Sequence, residues 1–327
     1  MAYNKGKDLT TALQFDGFNI ENHSMIQYLG IDSYIPFDVY LSDDNGNVNV
    51  INGKLNQSGT MLQEGGLESW TFSSAMEVSK NLYIGGSLNV NSGTFKSNRE
   101  YYEVVIINVY DTVESAPGYP NTINFLTFFR NDIIDWEISG WDLKLGTIYQ
   151  LSKIARFGAT IQFPKTFTIK ETYQLHVRSE FEKAIYENSY DDNVEYDITT
   201  PFALTGAASV NVKGLILSAE ATLTDYTQTE FTNPKGISTS YFAGLNKDMK
   251  ELMRAVANIN VGVEYTIPEV GIRVRGGFIS QPSPYKGDPS DFGKKYLTGG
   301  VGFLADETFA IDVAYAHGWW KTYGDNY

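Results

Sequence analysis

From Arg254 to Lys321 the chain writes out one unit repeatedly: a run of alternating apolar and polar residues, a tight turn, a second such run and a longer polar stretch. In Ala257, Ile259, Val261, Val263 and Tyr265 every second residue is apolar, with Asn258, Asn260, Gly262 and Glu264 between them. After a turn around Pro268 to Gly271 the pattern resumes as Ile272, Val274, Gly276 and Phe278 against Arg273, Arg275 and Gly277. It returns in Leu297, Gly299, Val301 and Phe303, turns at Ala305, Asp306 and Glu307, and continues as Phe309, Ile311, Val313 and Tyr315 with Asp312 opposite. A period of two sends successive side chains to opposite faces of a strand. These stretches predict antiparallel hairpins with one greasy face and one polar, charged face.

The rest of the chain follows the same rule. A strand is expected through about Phe18, then a long polar segment to about Glu68. Within that segment Asp43 to Asn47 lacks the spaced acids and closing Glu of a calcium loop and reads as an Asn-Gly turn. Trp70 to Val78 and Leu82 to Val90 flank a turn at Ser79 to Asn81, and a loop holds Pro117 to Pro120. Trp141 to Leu145 turns at Ser152 and Lys153 into Ala155 to Phe163, and beyond Pro164 an amphipathic extension runs to about Lys183. A polar loop from Asn188 to Asn193 leads into Leu204 to Val212, the two-residue turn Lys213-Gly214, and Leu217 to Leu223. Asn246 to Ala257, with Met249, Leu252, Met253 and Val256 at helical spacing, is the helical candidate, a short loop helix packing its own apolar side.

Connections near 80, 152, 213, 269 and 306 are tight, whereas those near 45, 115, 188, 240 and 288 are long. Such alternation trims one end of a sheet and elaborates the other, as in outer-membrane barrels. Alternating faces alone also suit a soluble β-sandwich. Strands near ten residues exceed the usual five or six and approach membrane-spanning length. The apolar faces often end in Tyr or Trp, at Trp70, Trp141, Tyr149, Tyr265, Tyr315 and Trp319. Aromatics make up 14% of the chain, which favours the girdles of such barrels or carbohydrate-stacking surfaces. A net charge of −14 argues against nucleic acid as a partner, and the absence of cysteine removes thiolate metal sites and cysteine nucleophiles. No apolar run is long enough for a transmembrane helix. The first residues lack the apolar core of a signal peptide.

The residues also carry a resemblance. Val263-Glu264-Tyr265-Thr266, Arg273-Val274-Arg275-Gly276-Gly277-Phe278, Pro282-Ser283-Pro284, Gly299-Gly300-Val301-Gly302-Phe303 and Ile311-Asp312-Val313-Ala314-Tyr315 resemble the C-terminal part of the FadL/TodX outer-membrane transporters. Gly140-Trp141-Asp142-Leu143-Lys144-Leu145-Gly146 and the strand Phe157 to Pro164 do so too. The order and spacing of these motifs carry the resemblance over most of residues 1–327, in the form typical of Bacteroidetes-like bacteria. It implies an all-β, antiparallel, up-and-down transmembrane β-barrel of fourteen strands with long external loops. It also implies an N-terminal hatch and passive uptake of long-chain fatty acids or aromatic hydrocarbons across the bacterial outer membrane. The hatch, with its Asn-Pro-Ala-type motif, is not found here. About eleven strands are legible, so the chain reads as a single barrel domain truncated at both ends, with two strands expected before Met1 and one after Tyr327.

In such a barrel the charged faces line a lumen. Asp142, Lys144, Glu220, Glu264 and Asp312 are expected to face it, mostly pairing with one another because buried charges need partners. Arg156, Arg273 and Arg275 are the candidates for meeting a fatty-acid carboxylate, which Arg binds bidentately. The run Phe125-Leu126-Thr127-Phe128-Phe129 reads as a strand extension packed on a neighbouring loop or as an external landing site in which Phe125, Phe128 and Phe129 touch substrate. His23, His176 and His317 lie far apart, and no nucleophile elbow, metal-ligand helix or phosphate loop is present. No enzyme activity, cofactor or metal is expected. The expected partners are a hydrophobic small molecule, outer-membrane lipid and lipopolysaccharide, with the protein acting as a monomer. The alternative is a soluble or surface-exposed β-sandwich that binds glycans through its aromatics.

Overall fold

In this computed structural model the described residues are 9–19, 35–41, 54–107, 120–268, 270–305 and 309–322. They form one antiparallel sheet of fourteen strands. In chain order these are β1 (Leu9–Asn19), β2 (Lys54–Ser79), β3 (Leu82–Ile107), β4 (Phe125–Gln150), β5 (Ala155–Gln162), β6 (Thr166–Phe181) and β7 (Ile185–Thr199). They continue as β8 (Ala203–Val212), β9 (Leu215–Asp225), β10 (Glu230–Lys235), β11 (Ala255–Thr266), β12 (Ile272–Gln281), β13 (Lys294–Ala305) and β14 (Phe309–Trp319). Two helices accompany them, α1 (Ile35–Asp38) and α2 (Thr239–Leu252). Among the described residues no ladder joins β14 to β1, so these two strands are the sheet's edges.

Register reduces the fourteen segments to eleven long strands. β5 and β8 pair with Gln162 opposite Ala203, and β6 and β7 resume with Thr166 opposite Thr199. The register runs straight through the gap, which sets Pro164 opposite Pro201. Proline has no N–H to give a ladder and sits at breaks and edges of sheets. Two facing prolines therefore interrupt both strands at one height, and β9 and β10 are interrupted beside them by the turn at Tyr226–Gln228. Backbone bonds stitch the gap: Phe163 N–H donates to Leu143 O, and Thr200 N–H to Lys165 O, both at 2.9 Å. β2, β3 and β4 pass this level unbroken, each 26 residues long and roughly 85 Å end to end.

Below the break the apolar faces share one side of the sheet. Tyr265, Val274, Val301 and Val313 form one cross-strand row, and Ile259 and Val261 continue the face on β11. All are exposed, Val261 by 45% and Val313 by 68%, whereas the intervening Asn258, Asn260, Gly262 and Glu264 are half-buried. No second sheet covers either side. The polar side is thus the concave one, and the apolar side is convex. Trp141 and Tyr149 stand on that convex face of β4, roughly 27 Å apart along the strand. With Trp70 and Trp319 above and Tyr265 and Phe309 below, aromatics rim an apolar band. The β8–β9 turn at its lower rim has positive φ at Lys213 and Gly214, 53° and 87°, as a two-residue hairpin turn of the right twist requires.

Above the break the rules invert. Tyr101, Phe125, Phe128, Leu175, Val177 and Phe181 form a buried core on the continuation of the concave face. A strap made of α1 and the turn after it lies across that core and buries Val39 and Leu41 in it. α2 covers β10, with Phe242 packed edge-on against Tyr196 at 5.5 Å.

Three expectations are corrected. Residues 54–68 and 188–193 are strand, not loop, because outside the apolar band both faces of a strand can be polar and the alternation that marks strands fades. The helix runs from Thr239 to Leu252, and Val256 and Ala257 belong to β11. It is started by Ser238, whose Oγ accepts from the Tyr241 N–H at 3.2 Å, an N-cap that sets the helix seven residues earlier than its apolar spacing suggested. A sandwich would bury its apolar faces against each other, and here they are bare. The turns at Asp43–Asn47 and Asp306–Glu307, and Pro117 to Tyr119, lie outside the described residues.

Phe128 is wholly buried. Phe128→Ala should destabilise the upper sheet by about 3–5 kcal/mol, read as a lower urea midpoint in detergent solution.

Candidate functional site

The concave face of the band holds a trough of 570 Å³ whose floor is set by Gly158, Ala207 and Gly262. Side chains this small leave the space open. Its charged and amide groups are Arg156, Glu220 and Asn260, with the hydroxyls of Ser209, Ser218 and Thr298 beside them. Asn260 Nδ2 donates to Glu220 Oε1 at 2.9 Å, so that carboxylate is already engaged. Arg156 lies exposed and makes no ion pair among the described residues.

Nearer the lower rim a charged rung crosses three strands. Glu264 and Arg275 are direct cross-strand partners, and Arg275 Nε donates to Glu264 Oε2 at 2.6 Å. Arg275 Nη1 reaches over β13 to Asp312 Oδ1. β13 offers Gly300 and Gly302 there, and a Cβ at Gly302 would come within 3.3 Å of Asp312 Cγ. Arg273, one rung lower, faces the same side and makes no ion pair among the described residues. Of the three arginines expected to meet a headgroup, Arg275 is thus committed to carboxylates, and Arg156 and Arg273 keep their guanidinium groups available. Lys144 is half-buried on the same face, opposite Ser87 and Gln162.

Asp142 sits at the break and is 1% exposed. Asn89 Nδ2 donates to it at 2.8 Å and Asn91 Nδ2 at 3.4 Å, and Lys165 Nζ lies 3.6 Å away across the gap between β5 and β6. A buried carboxylate needs such donors. Asn89, Asn91 and Lys165 were not anticipated from sequence, since a lone Asn in an alternating strand gives no sign of what it faces.

In the aromatic run, Phe125 and Phe128 are closed into the upper core, and Phe129 lies on the other face against Tyr102, ring centroids 4.7 Å apart. Around that core the polar groups are paired. Arg130 grips Asp132 with two bonds of 2.8 and 2.6 Å, and Tyr173 Oη donates to Asp132 at 2.7 Å. Tyr190 Oη donates to Asp38 of the strap, and Asn188 Nδ2 does so at 3.1 Å. Burial, then the hydrogen bond to Asp132, pushes Tyr173 up to about 12. Burial, then the bond to Asp38, pushes Tyr190 up to about 12 as well.

No protein-family model matches the chain, and no curated protein does. Among solved structures it superposes on a Pseudomonas aeruginosa FadL homologue with a TM-score of 0.54, at 11% identity, over 82% of this chain and 67% of that one. The fold is of the FadL type. The chain also aligns with the CymD monoaromatic hydrocarbon channel at a TM-score of 0.47, with 12% identity over 96% of this chain and 82% of that one. For the Pseudomonas putida toluene transporter TodX the TM-score is 0.46, with 12% identity over 88% and 68%. The FadL-type fold accounts for a single large antiparallel sheet. The extended upper strands and the strap enclose a second, apolar core above the break.

Tyr173 and Tyr190 should therefore keep their protons past the ordinary tyrosine value near 10. Their folded values are raised, so their contribution to stability is whole below pH 10 and is lost as pH climbs through about 12. Tyrosinate absorbance should show late-titrating groups, Tyr196 and Tyr102 among them because burial pushes these up too, and Tyr173→Phe and Tyr190→Phe should each remove one.

Proposed function

We propose that the protein is an outer-membrane channel for passive uptake of hydrophobic small molecules such as long-chain fatty acids or aromatic hydrocarbons. One observation carries this reading: within the band the apolar side chains point outward and the polar, small-residue face is concave. In water that arrangement exposes far more apolar surface than a soluble protein tolerates. In a bilayer it is the required one, with aromatic rims at the two interfaces and polar groups toward a lumen. Closure of the sheet into a barrel belongs to the same reading, since an open edge cannot sit in lipid. So do a location in the bacterial outer membrane, contact with its lipid and lipopolysaccharide, and action as a monomer. The elaborated end carries the strap and upper core and faces the exterior. Arg156 and Arg273 are the groups that meet an anionic headgroup, because Arg275 is engaged by Glu264 and Asp312.

Two measurements test it. Val261→Arg and Val313→Arg should block membrane assembly, costing about 2–4 kcal/mol at the bilayer midplane, whereas Asn260→Arg, beside Glu220 on the concave side, should assemble. Equal tolerance of all three would contradict the topology. In cells lacking their own hydrophobe channel, the protein should restore fatty-acid or toluene uptake, and Arg156→Ala should lower fatty-acid uptake while sparing toluene. Passage of small sugars without either hydrophobe would make it a porin.

A further inference from the structure

We infer that the convex face of β4 and its neighbours seats one lipopolysaccharide molecule, with an acyl chain in an apolar groove below the break and the sugars in a polar hollow above it. This rests on the membrane-channel reading and adds to it a specific glycolipid site outside the lumen.

Polarity along the strands sets the frame. On β4 the outward residues are Leu145, Leu143 and Trp141, then Ser139, Glu137 and Asp135. Opposite them on β3 stand Gly86, Leu88 and Val90, then Ser92, Thr94 and Lys96. Both strands pass in step from hydrocarbon to hydroxyl to charge. Trp141 marks the change, the level at which aromatic side chains separate lipid tails from headgroups.

Below Trp141 the convex face is grooved. A furrow of 720 Å³ crosses β2, β3, β4, β5 and β8, with Met76, Ile84, Leu145, Ile161 and Leu204 as its walls and the backbone of Gly85 and Gly146 in its floor. Gly86 opens it further, since a Cβ there would come within 3.0 Å of Leu145 Cδ2. Among the described residues its lining holds no charged or amide side chain, and its polar groups are the hydroxyls of Ser74, Thr147, Thr160 and Thr205. Such a groove accepts an alkyl chain.

Above Trp141 the same face holds a hollow of 660 Å³. On β4 it runs from Glu137 to Ile133, roughly 13 to 26 Å beyond Trp141 along the strand. Lys96, Lys170 and Lys235 line it together with Asp135, Glu137 and Glu195. Lys96 lies 3.5 Å from Asp135, and Lys235 lies 2.5 Å from Glu195. Lys170 stands opposite Glu137 and Glu195, is exposed, and makes no ion pair among the described residues. In the floor Thr172 Oγ1 donates to Asn193 Oδ1 at 2.9 Å. A fourth acid, Glu171, turns to the concave face, where it accepts from Trp136 Nε1 at 2.8 Å and Tyr196 Oη at 3.0 Å.

The ligand class follows from this balance. Three lysines and three acids offset one another, so a bare phosphate meets as many acids as lysines. Sugar hydroxyls donate and accept at once, and so satisfy lysine and carboxylate side by side. The two cavities share β3 and β4 and lie on either side of one tryptophan. A phospholipid headgroup ends at that rim, whereas a lipid carrying an oligosaccharide reaches the hollow.

The test is a titration of the full chain in detergent, read by native mass spectrometry. The probes are a rough lipopolysaccharide with complete core, the lipid A that mild acid releases from it, and the released oligosaccharide. The intact molecule should bind at least about tenfold more tightly than either fragment, because each fragment occupies one seat of two. Lys170→Glu should weaken the intact molecule at least about tenfold, the worth of a hydrogen bond to a charged group, and leave lipid A unchanged. Ala159→Phe fills the groove from an exposed position, and should weaken the intact molecule and lipid A while leaving the oligosaccharide unchanged. A fragment that binds as tightly as the intact molecule, or a variant that keeps wild-type affinity for it, overturns the inference. Both side chains face away from the lumen, so both variants should keep wild-type toluene uptake, and uptake without the lipopolysaccharide preference leaves the channel standing. Wild-type protein that is monodisperse without detergent overturns both.

Discussion

Register is the constraint on which the rest of this molecule depends. In an antiparallel ladder a slip of one residue turns every side chain to the other face. From β2 to β14 each long strand holds its neighbour in step over the whole band, so the apolar residues of all of them end on one side. Curvature then decides what each side means. With the polar face inward, small residues at Gly158, Ala207 and Gly262 prevent the concave side from filling, and charges at Glu264, Arg275 and Asp312 satisfy one another across it.

The band was readable in the sequence because lipid or core imposes a strict period of two there. Ile259 to Tyr265 and Phe309 to Tyr315 announce both their conformation and their faces, and the turn at Lys213-Gly214 is named by its residues. The count of about eleven strands also corresponds to the eleven continuous strands of the sheet. Beyond the band the period dissolves. In β7 the inward Tyr186 and Tyr190 alternate with Glu187, Ser189 and Asp191, but all are polar enough to pass for a loop. In the sequence of the strap Ile35, Phe37, Val39 and Leu41 stand at every second position. Their destination, some 140 residues further along the chain at Ser179, is a tertiary fact that no local pattern encodes.

The candidate site divides the same way. Residue types on the concave face followed from alternation, whereas their engagement did not. Arg273 and Arg275 are two positions apart on one strand and look equivalent in sequence, yet the glycines of β13 let Asp312 reach only Arg275. Asp142 looked like one more lumen charge. Its place opposite the break gives it Asn89, Asn91 and Lys165 as partners and makes it a stitch between the two halves of the sheet.

The facing prolines, Pro164 and Pro201, bear on how such a chain can change over generations. Because three neighbouring strands stop and restart at one height, residues gained or lost there do not propagate downward. An insertion at Thr200 or Tyr226 lengthens the outer sheet and leaves the pairing of β5, β8 and β9 as it was. An insertion in β11 would turn half of that strand inside out. Natural drift should therefore concentrate above the break on this side of the sheet, where variation can accumulate without disturbing the register of the band below.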